Sequence, residues 1–211
     1  ETIFLRAFDA AAVRAALCRA TLMMGVPTFY ARLLADEDFG PDDCARMRLF
    51  ISGSAPLTVE THEAFQLRTG FAILERYGMS EAGMLASNPL DGARIAGTVG
   101  YALPDVSIRI TGPTGVLPPG EPGVVEVKGP NVFKGYWGMP EKTREEFRDD
   151  GFFITGDVAT MDKEGRVTIS RAAGTMTFPS QFMLVAAMNP TPDGKMPGES
   201  KSSPREIQNY L

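Results

Sequence analysis

Three short apolar runs in the first 76 residues, separated by helix-like segments with short connections, constrain this chain more than any other feature. From Asp9 to Arg19 the alanine-rich text with apolar positions Val13, Ala16 and Leu17 predicts a helix, and Thr21 to Pro27 predicts a buried strand. Thr28 is expected to cap a helix over Phe29 to Leu34. Pro41 and Asp42 open a short helix through Met47, and the strand Arg48 to Ile51 follows. A helix over Thr58 to Thr69, capped by Thr58 and closed by Gly70, leads to the third strand, Phe71 to Arg76. Strand, helix, strand, helix, strand with short connections is the pattern of a wound α/β sheet, where ligands collect at the carboxyl ends of strands. Ser52 to Pro56 and Tyr77 to Glu81 fall there.

After Asn88-Pro89 the pattern changes to short β segments: Gly97 to Gly100, Val106 to Ile110, Gly123 to Lys128, Phe152 to Ala159 and Arg166 to Ile169. Turn clusters at Gly112 to Gly115 and Pro118 to Gly123 punctuate them, and Pro140 to Phe147 reads as a short charged helix. This part is expected to form a β subdomain docked on the sheet.

A surplus of acidic over basic side chains, 26 against 21, leaves no basic field to favour nucleic acid or an anionic membrane. The longest apolar stretches, Thr21 to Val26 and Phe182 to Met188, fall far short of the roughly 20 residues of a membrane span. Two cysteines, Cys18 and Cys44, show neither metal-ligand spacing nor a disulfide framework and fit a reducing compartment, the cytoplasm or, in a eukaryote, the mitochondrion. The single histidine, His62, is expected on the surface of its helix, so histidine-based triads lack parts. The opening Glu1-Thr2-Ile3-Phe4 has neither initiator methionine nor basic leader and reads as a cut edge.

Glu75-Arg76-Tyr77-Gly78-Met79-Ser80-Glu81 carries the most chemistry. A ring to stack, a permissive glycine to bring backbone close, a hydroxyl for a phosphate oxygen and a carboxylate for Mg²⁺ suit a nucleotide. The rival reading is a strand-to-loop turn with an ordinary surface glutamate. The company of Ile51-Ser-Gly-Ser-Ala-Pro-Leu57 upstream and Phe152-Phe-Ile-Thr-Gly-Asp157 downstream favours the nucleotide.

In that order and at those separations the strings resemble the adenylate-forming superfamily of acyl-CoA synthetases, luciferases and peptide-synthetase adenylation domains. Met24-Gly-Val-Pro-Thr-Phe-Tyr30, Glu75-Arg-Tyr-Gly-Met-Ser-Glu81, Val127-Lys-Gly-Pro-Asn-Val-Phe-Lys-Gly-Tyr-Trp137 and Phe147 to Asp157 are most similar to malonyl-CoA synthetases. The resemblance covers about residues 1–168. It implies a partial wound α/β sheet domain of the adenylate-forming fold over 1–90 and a β subdomain over 91–168.

The resemblance further implies that Tyr77 stacks on adenine, that Ser54, Ala55 and Pro56 line the purine, and that Gly78 lets the backbone approach. Ser80, where relatives more often carry Thr, would contact the α-phosphate, and Glu81 would hold Mg²⁺. Asp157 would accept both ribose hydroxyls, which two carboxylate oxygens suit; its rival role is a turn aspartate. Met24, Gly25 and Met79 would border the acyl pocket or simply pack in the core. Arg76 would pair with a second carboxylate on the substrate or form a salt bridge to Glu75 or Glu81. Lys128, Lys134 and Trp137 are assigned to surface and packing. The implied reaction uses ATP, Mg²⁺ and CoA with malonate or a similar small carboxylate, in fatty acid metabolism. A phosphate loop and a C-terminal lysine domain are missing from the text, so the chain alone is expected to be inactive.

After Ile169 the text changes. Ser170 to Pro190 resembles magnesium-chelatase-like AAA+ ATPases associated with DNA processing, with Phe182 to Met188 as a core strand, Asn189 as a sensor residue and Ser203 to Leu211 starting a helix. Arg171 lies near the hinge arginine of adenylate-forming enzymes but one residue out of register. Residues 169–211 are therefore expected to be a foreign, poorly anchored segment, because the unbroken apolar run needs a sheet covered on both faces. The competing functions are an AAA+ ATPase, favoured by the tail alone, and a non-catalytic adenosine-binding module.

Overall fold

The computed structural model describes residues 2–170. Helix α1 (Ala10–Leu17) starts where the Asp9 carboxylate accepts the Ala12 N–H at 2.8 Å, and it buries Val13 and Leu17, four residues apart on one stripe. Strand β1 (Leu22–Gly25) follows, and then α2 (Pro27–Leu34). The expected Thr28 cap is not used. Pro27 occupies the first helical turn instead, where its missing N–H costs nothing. The expected helix to Met47 shortens to a single 3-10 turn, Pro41–Cys44.

Strand β2 (Leu49–Ser52) leads to α3 (Val59–Thr69), whose Thr58 hydroxyl accepts the Thr61 N–H and whose Gly70 closes the helix at φ +79°. Strand β3 (Leu74–Met79) runs farther than expected, through Tyr77 and Gly78. It turns back into β4 (Gly83–Ser87), which the sequence pattern did not announce, and β5 (Tyr101–Ala102) completes a sheet of order β1-β2-β3-β4-β5. The first two pairings are parallel and the last two antiparallel. Gly97 to Gly100 forms no strand; Gly100 makes one isolated bridge to Val167.

The helices bury a core of Tyr30, Leu33, Phe50, Phe65 and Ile73 against the sheet. Phe65 meets Phe50 and Tyr30 edge-on at 4.9 and 5.3 Å, and each such buried side chain contributes about 1.5–3 kcal/mol. Two expectations fail here. Strand β1 is not buried on both faces: it is an edge, with Leu22 46% and Met24 56% exposed, because among the described residues the helices cover only its other side. His62 is not on the surface: it shares the inner face of α3 with Phe65 and Thr69 and is 2% exposed.

The second sheet contains β6 (Ser107–Gly112), β7 (Gly115–Val116), β8 (Gly123–Lys128), β9 (Phe153–Met161) and β10 (Val167–Ser170), with the short helix α4 (Pro140–Glu146) before β9. Its order is β10-β9-β8-β6-β7, antiparallel throughout. Buried Glu126 is matched by Arg109, Arg148 and the Thr111 hydroxyl, which keeps its carboxyl below the usual range against the opposing effect of burial. A second core joins the sheets: Tyr77, Leu85 and Ala86 of the first pack with Ile110, Val125, Val127 and Phe153 of the second. Trp137 takes no part in that packing and is fully exposed. The tail strand, Arg171, Asn189 and the final helix lie outside the described residues.

Candidate functional site

Parallel pairing sets Gly25, Ser52 and Glu75 in one row, at the carboxyl ends of β1 and β2 and near the start of β3. The Gly53 to Leu57 loop and the Arg76-Tyr77-Gly78 stretch lie just beyond, where such sheets bind ligands. From the second sheet, β9 brings Gly156 and Asp157 to the same place. Together they line a cavity of about 360 Å³ whose walls include Ser54, Ala55, Pro56, Tyr77, Gly78 and Asp157. The Tyr77 hydroxyl donates to Asp157 Oδ2 at 2.5 Å. Burial pushes the Tyr77 phenol well above its ordinary pKa, and the neighbouring Asp157 and Glu81 charges add to the effect. Gly156, at φ +78°, sits in the left-handed region beside the cavity, and the Thr155 hydroxyl accepts the Asp157 N–H while donating to the Val125 carbonyl.

A second cavity, about 270 Å³, adjoins the first and shares Ser54, Arg76 and Gly78 with it. Met24 and Gly25 line it together with Phe29, Ile51 and Met84. Met79 does not. It shares the face of Tyr77, two residues earlier on β3, and packs into the second core. Met84 supplies the methionine side chain instead. It pairs with Gly78 across the hairpin, and a Cβ on Gly78 would come 2.6 Å from the Met84 Cε and 2.3 Å from the Gly83 carbonyl oxygen. Gly78 is thus required by the closeness of β4, not by a turn. Arg76 lies beside Gly53 and, among the described residues, forms neither of the salt bridges expected as its rival role.

Ser80 and Glu81 are on the turn between β3 and β4, and neither lines the two cavities. Ser80 is exposed and Glu81 half-buried. No group of three metal-binding side chains occurs among the described residues. A lone carboxylate at that turn still fits Mg²⁺ carried in on phosphates, since Mg²⁺ keeps several waters and takes one or two carboxylates.

The sequence offered Glu75 only as a possible ion-pair partner of Arg76, yet it lines the larger cavity while only 3% exposed. One oxygen accepts the Leu57 N–H at 3.0 Å; the other has no partner, and burial pushes the carboxyl up to about 7. The available signal was its place in the strand: it is two residues before Tyr77 and level with Ser52, whose buried hydroxyl is also unpartnered.

A family profile described as AMP-binding enzyme matches residues 2–137, and one described as magnesium chelatase, subunit ChlI, matches residues 161–211. Malonate–CoA ligase of Arabidopsis thaliana is 40% identical over 161 residues, which cover 71% of this chain and 26% of that protein. ATP-bound MatB from Rhodopseudomonas palustris is 58% identical with a TM-score of 0.77, over 79% of this chain and 33% of that one. A malonyl-CoA ligase in a ternary product complex with methylmalonyl-CoA and AMP is 40% identical with a TM-score of 0.70, over 79% of this chain and 37% of that one. The chain thus spans between a quarter and about two-fifths of the length of these relatives.

Proposed function

The chain belongs to the AMP-binding enzyme family, and on that premise we propose that it is part of an ATP-dependent acyl-CoA ligase of the malonyl-CoA synthetase type. Residues 1–90 are read as a partial wound α/β nucleotide-binding unit, 91–168 as the β subdomain, and 169–211 as a foreign AAA+-like tail, whose first two residues, Ile169 and Ser170, still belong to β10. One observation carries the reading: all six residues expected around adenosine line one cavity, which opens beside a second containing Met24, Gly25 and Arg76.

In this reading adenine lies against the Tyr77 ring and the Ser54 to Pro56 loop, and the ribose hydroxyls reach Asp157. The Tyr77 bond occupies one Asp157 oxygen, and a carboxylate retains acceptor capacity for a diol. The substrate carboxylate attacks the α-phosphorus of ATP, giving acyl-adenylate and pyrophosphate, and the CoA thiol then displaces AMP from the acyl carbon. The protein positions these groups and offsets developing charge. Ser80 is assigned to the α-phosphate and Glu81 to Mg²⁺, which when bound neutralises phosphate charge. The Arg76 guanidinium would hold a second carboxylate on the acyl group, which favours malonate over propionate.

Calorimetry with ATP and with a non-hydrolysable malonyl-adenylate analogue tests the proposal. Binding of both, weakened by Asp157→Ala, is expected; no binding of either overturns it. The ChlI match at residues 161–211 favours a second reading, a nucleotide-hydrolysing AAA+ segment. That reading requires ATP hydrolysis without any carboxylic acid present.

A further inference from the structure

Strands β8 and β9 fall out of step beside the larger cavity. Glu126 pairs with Ile154 while Val124 pairs with Val158, so Thr155, Gly156 and Asp157 of β9 all stand opposite one residue of β8, Val125. Such a bulge bends its strand and re-aims the side chains that it carries. Phe153 before it and Ala159 after it are buried in the core that joins the sheets, which anchors the segment at both ends. Gly156, at its middle, takes φ +78°, a conformation that a side chain adopts only at a cost.

A single hydroxyl closes the bulge. Thr155 donates to the Val125 carbonyl at 2.9 Å and accepts the Asp157 N–H at 3.2 Å. Its Oγ1 ties the first residue of the bulge to the last, and both to the neighbouring strand. From there the Asp157 carboxylate reaches the cavity wall, where Oδ2 accepts from the Tyr77 hydroxyl at 2.5 Å. That bond takes up one carboxylate oxygen, and the second keeps its acceptor capacity. Thr155 itself lines neither cavity, so any effect it has on a ligand passes through Asp157.

We propose that Thr155 is a positioning residue for Asp157: by closing the bulge it holds the carboxylate where a ribose diol can meet it, and so sets how strongly the site prefers ribonucleotides to deoxyribonucleotides. This rests on the acyl-CoA ligase reading given above, in which Asp157 accepts the ribose hydroxyls. A hydrogen bond weakens steeply with small changes of length and angle, so a bulge that relaxes by a fraction of its width removes the contact without unmaking the cavity.

The test is calorimetric titration of ATP and of 2′-deoxy-ATP into the 211-residue chain, for wild type, Thr155→Val, Thr155→Ser and Gly156→Ala. Wild type is expected to bind ATP about tenfold or more tightly than 2′-deoxy-ATP, as one hydrogen bond to a charged group implies. Thr155→Val keeps the branched shape but removes the hydroxyl, and it should bring the two affinities to within about twofold, chiefly by weakening ATP. Thr155→Ser retains the hydroxyl and should keep the wild-type ratio. Gly156→Ala strains the same bulge without removing a hydrogen-bonding group and should also lower the ratio. If either Thr155→Val or Gly156→Ala shows no cooperative melting transition, the other decides. A wild-type ratio in Thr155→Val overturns the proposal and leaves the ribose role of Asp157 standing. Equal weakening of both nucleotides also overturns it, since that marks a purely structural residue. Wild type that binds ATP without preference over 2′-deoxy-ATP overturns the ribose role and this proposal together, and wild type that binds neither nucleotide overturns the ligase reading as well.

Discussion

The Tyr77 hydroxyl and the Asp157 carboxylate, 80 residues apart in sequence, meet at 2.5 Å across the junction of the two sheets. The bond links β3 to β9 in the wall of the larger cavity, so under the proposed function folding and nucleotide binding would draw on the same pair. Tyr77→Phe should cost about 1.5–3 kcal/mol of stability, as expected for a hydrogen bond to a charged group. It should leave ATP affinity within a few-fold, because the ring is retained, whereas Tyr77→Ala should lose both. Urea unfolding and ATP titration of the two variants check this, and equal affinities for Phe and Ala would remove the stacking role.

Glu75 makes stability depend on pH in an unusual sense. Its folded pKa, about 7, is raised above the ordinary value near 4.5 because burial disfavours the charge. The native state therefore holds the proton more tightly, and stability should fall as pH rises from about 4.5 through 7, with the cost complete above that. Glu75→Gln should flatten this window and be more stable than wild type at pH 8 by about 3 kcal/mol. Thermal melts across pH 5 to 8 measure it; parallel curves for the two proteins would show that Glu75 is not the group responsible.

Ser54 sits at φ 67°, a left-handed conformation that a side chain adopts at a cost, on the wall shared by both cavities. Ser54→Gly should stabilise the chain by up to about 1 kcal/mol, and Ser54→Val should destabilise it by about 1–2 kcal/mol. Chemical denaturation midpoints decide. Failure of glycine to stabilise would mean that the hydroxyl contributes more than the strain costs.

Arg76 and Met84 set opposite requirements on the smaller cavity. Arg76→Ala should weaken binding of a malonyl-adenylate analogue about tenfold or more, as loss of a charge-assisted contact does, with little effect on the propionyl analogue. Met84→Ala should enlarge the cavity and favour bulkier acyl groups over malonyl. Paired titrations with malonyl, propionyl and branched analogues report both effects, and equal losses for malonyl and propionyl with Arg76→Ala would remove the recognition role.

By itself the sequence determined the features that depend on neighbours along the chain. Asp9, Thr58 and Gly70 bound helices α1 and α3 through hydrogen bonds spanning three or four residues. The spacing of strands and helices put the Ser54 loop and the Tyr77 stretch at one end of a parallel sheet, because β2 and β3 run in the same direction, although Tyr77 itself proves to lie within β3. Tertiary structure alone decided what lies opposite each residue. His62 is buried because its face of α3 meets the sheet, although one histidine among charged residues reads as surface. Strand β4 exists because β3 continues past Tyr77 and needs an antiparallel partner. Met79 turns to the second core and Met84 to the cavity because strand residues two apart share a face and Gly78 leaves room across the hairpin. The buried, half-partnered Glu75 is of the same kind. Its ordinary place in a strand is legible from the residues around it, but its charge balance depends on the Leu57 amide 18 positions away and on the cavity it faces.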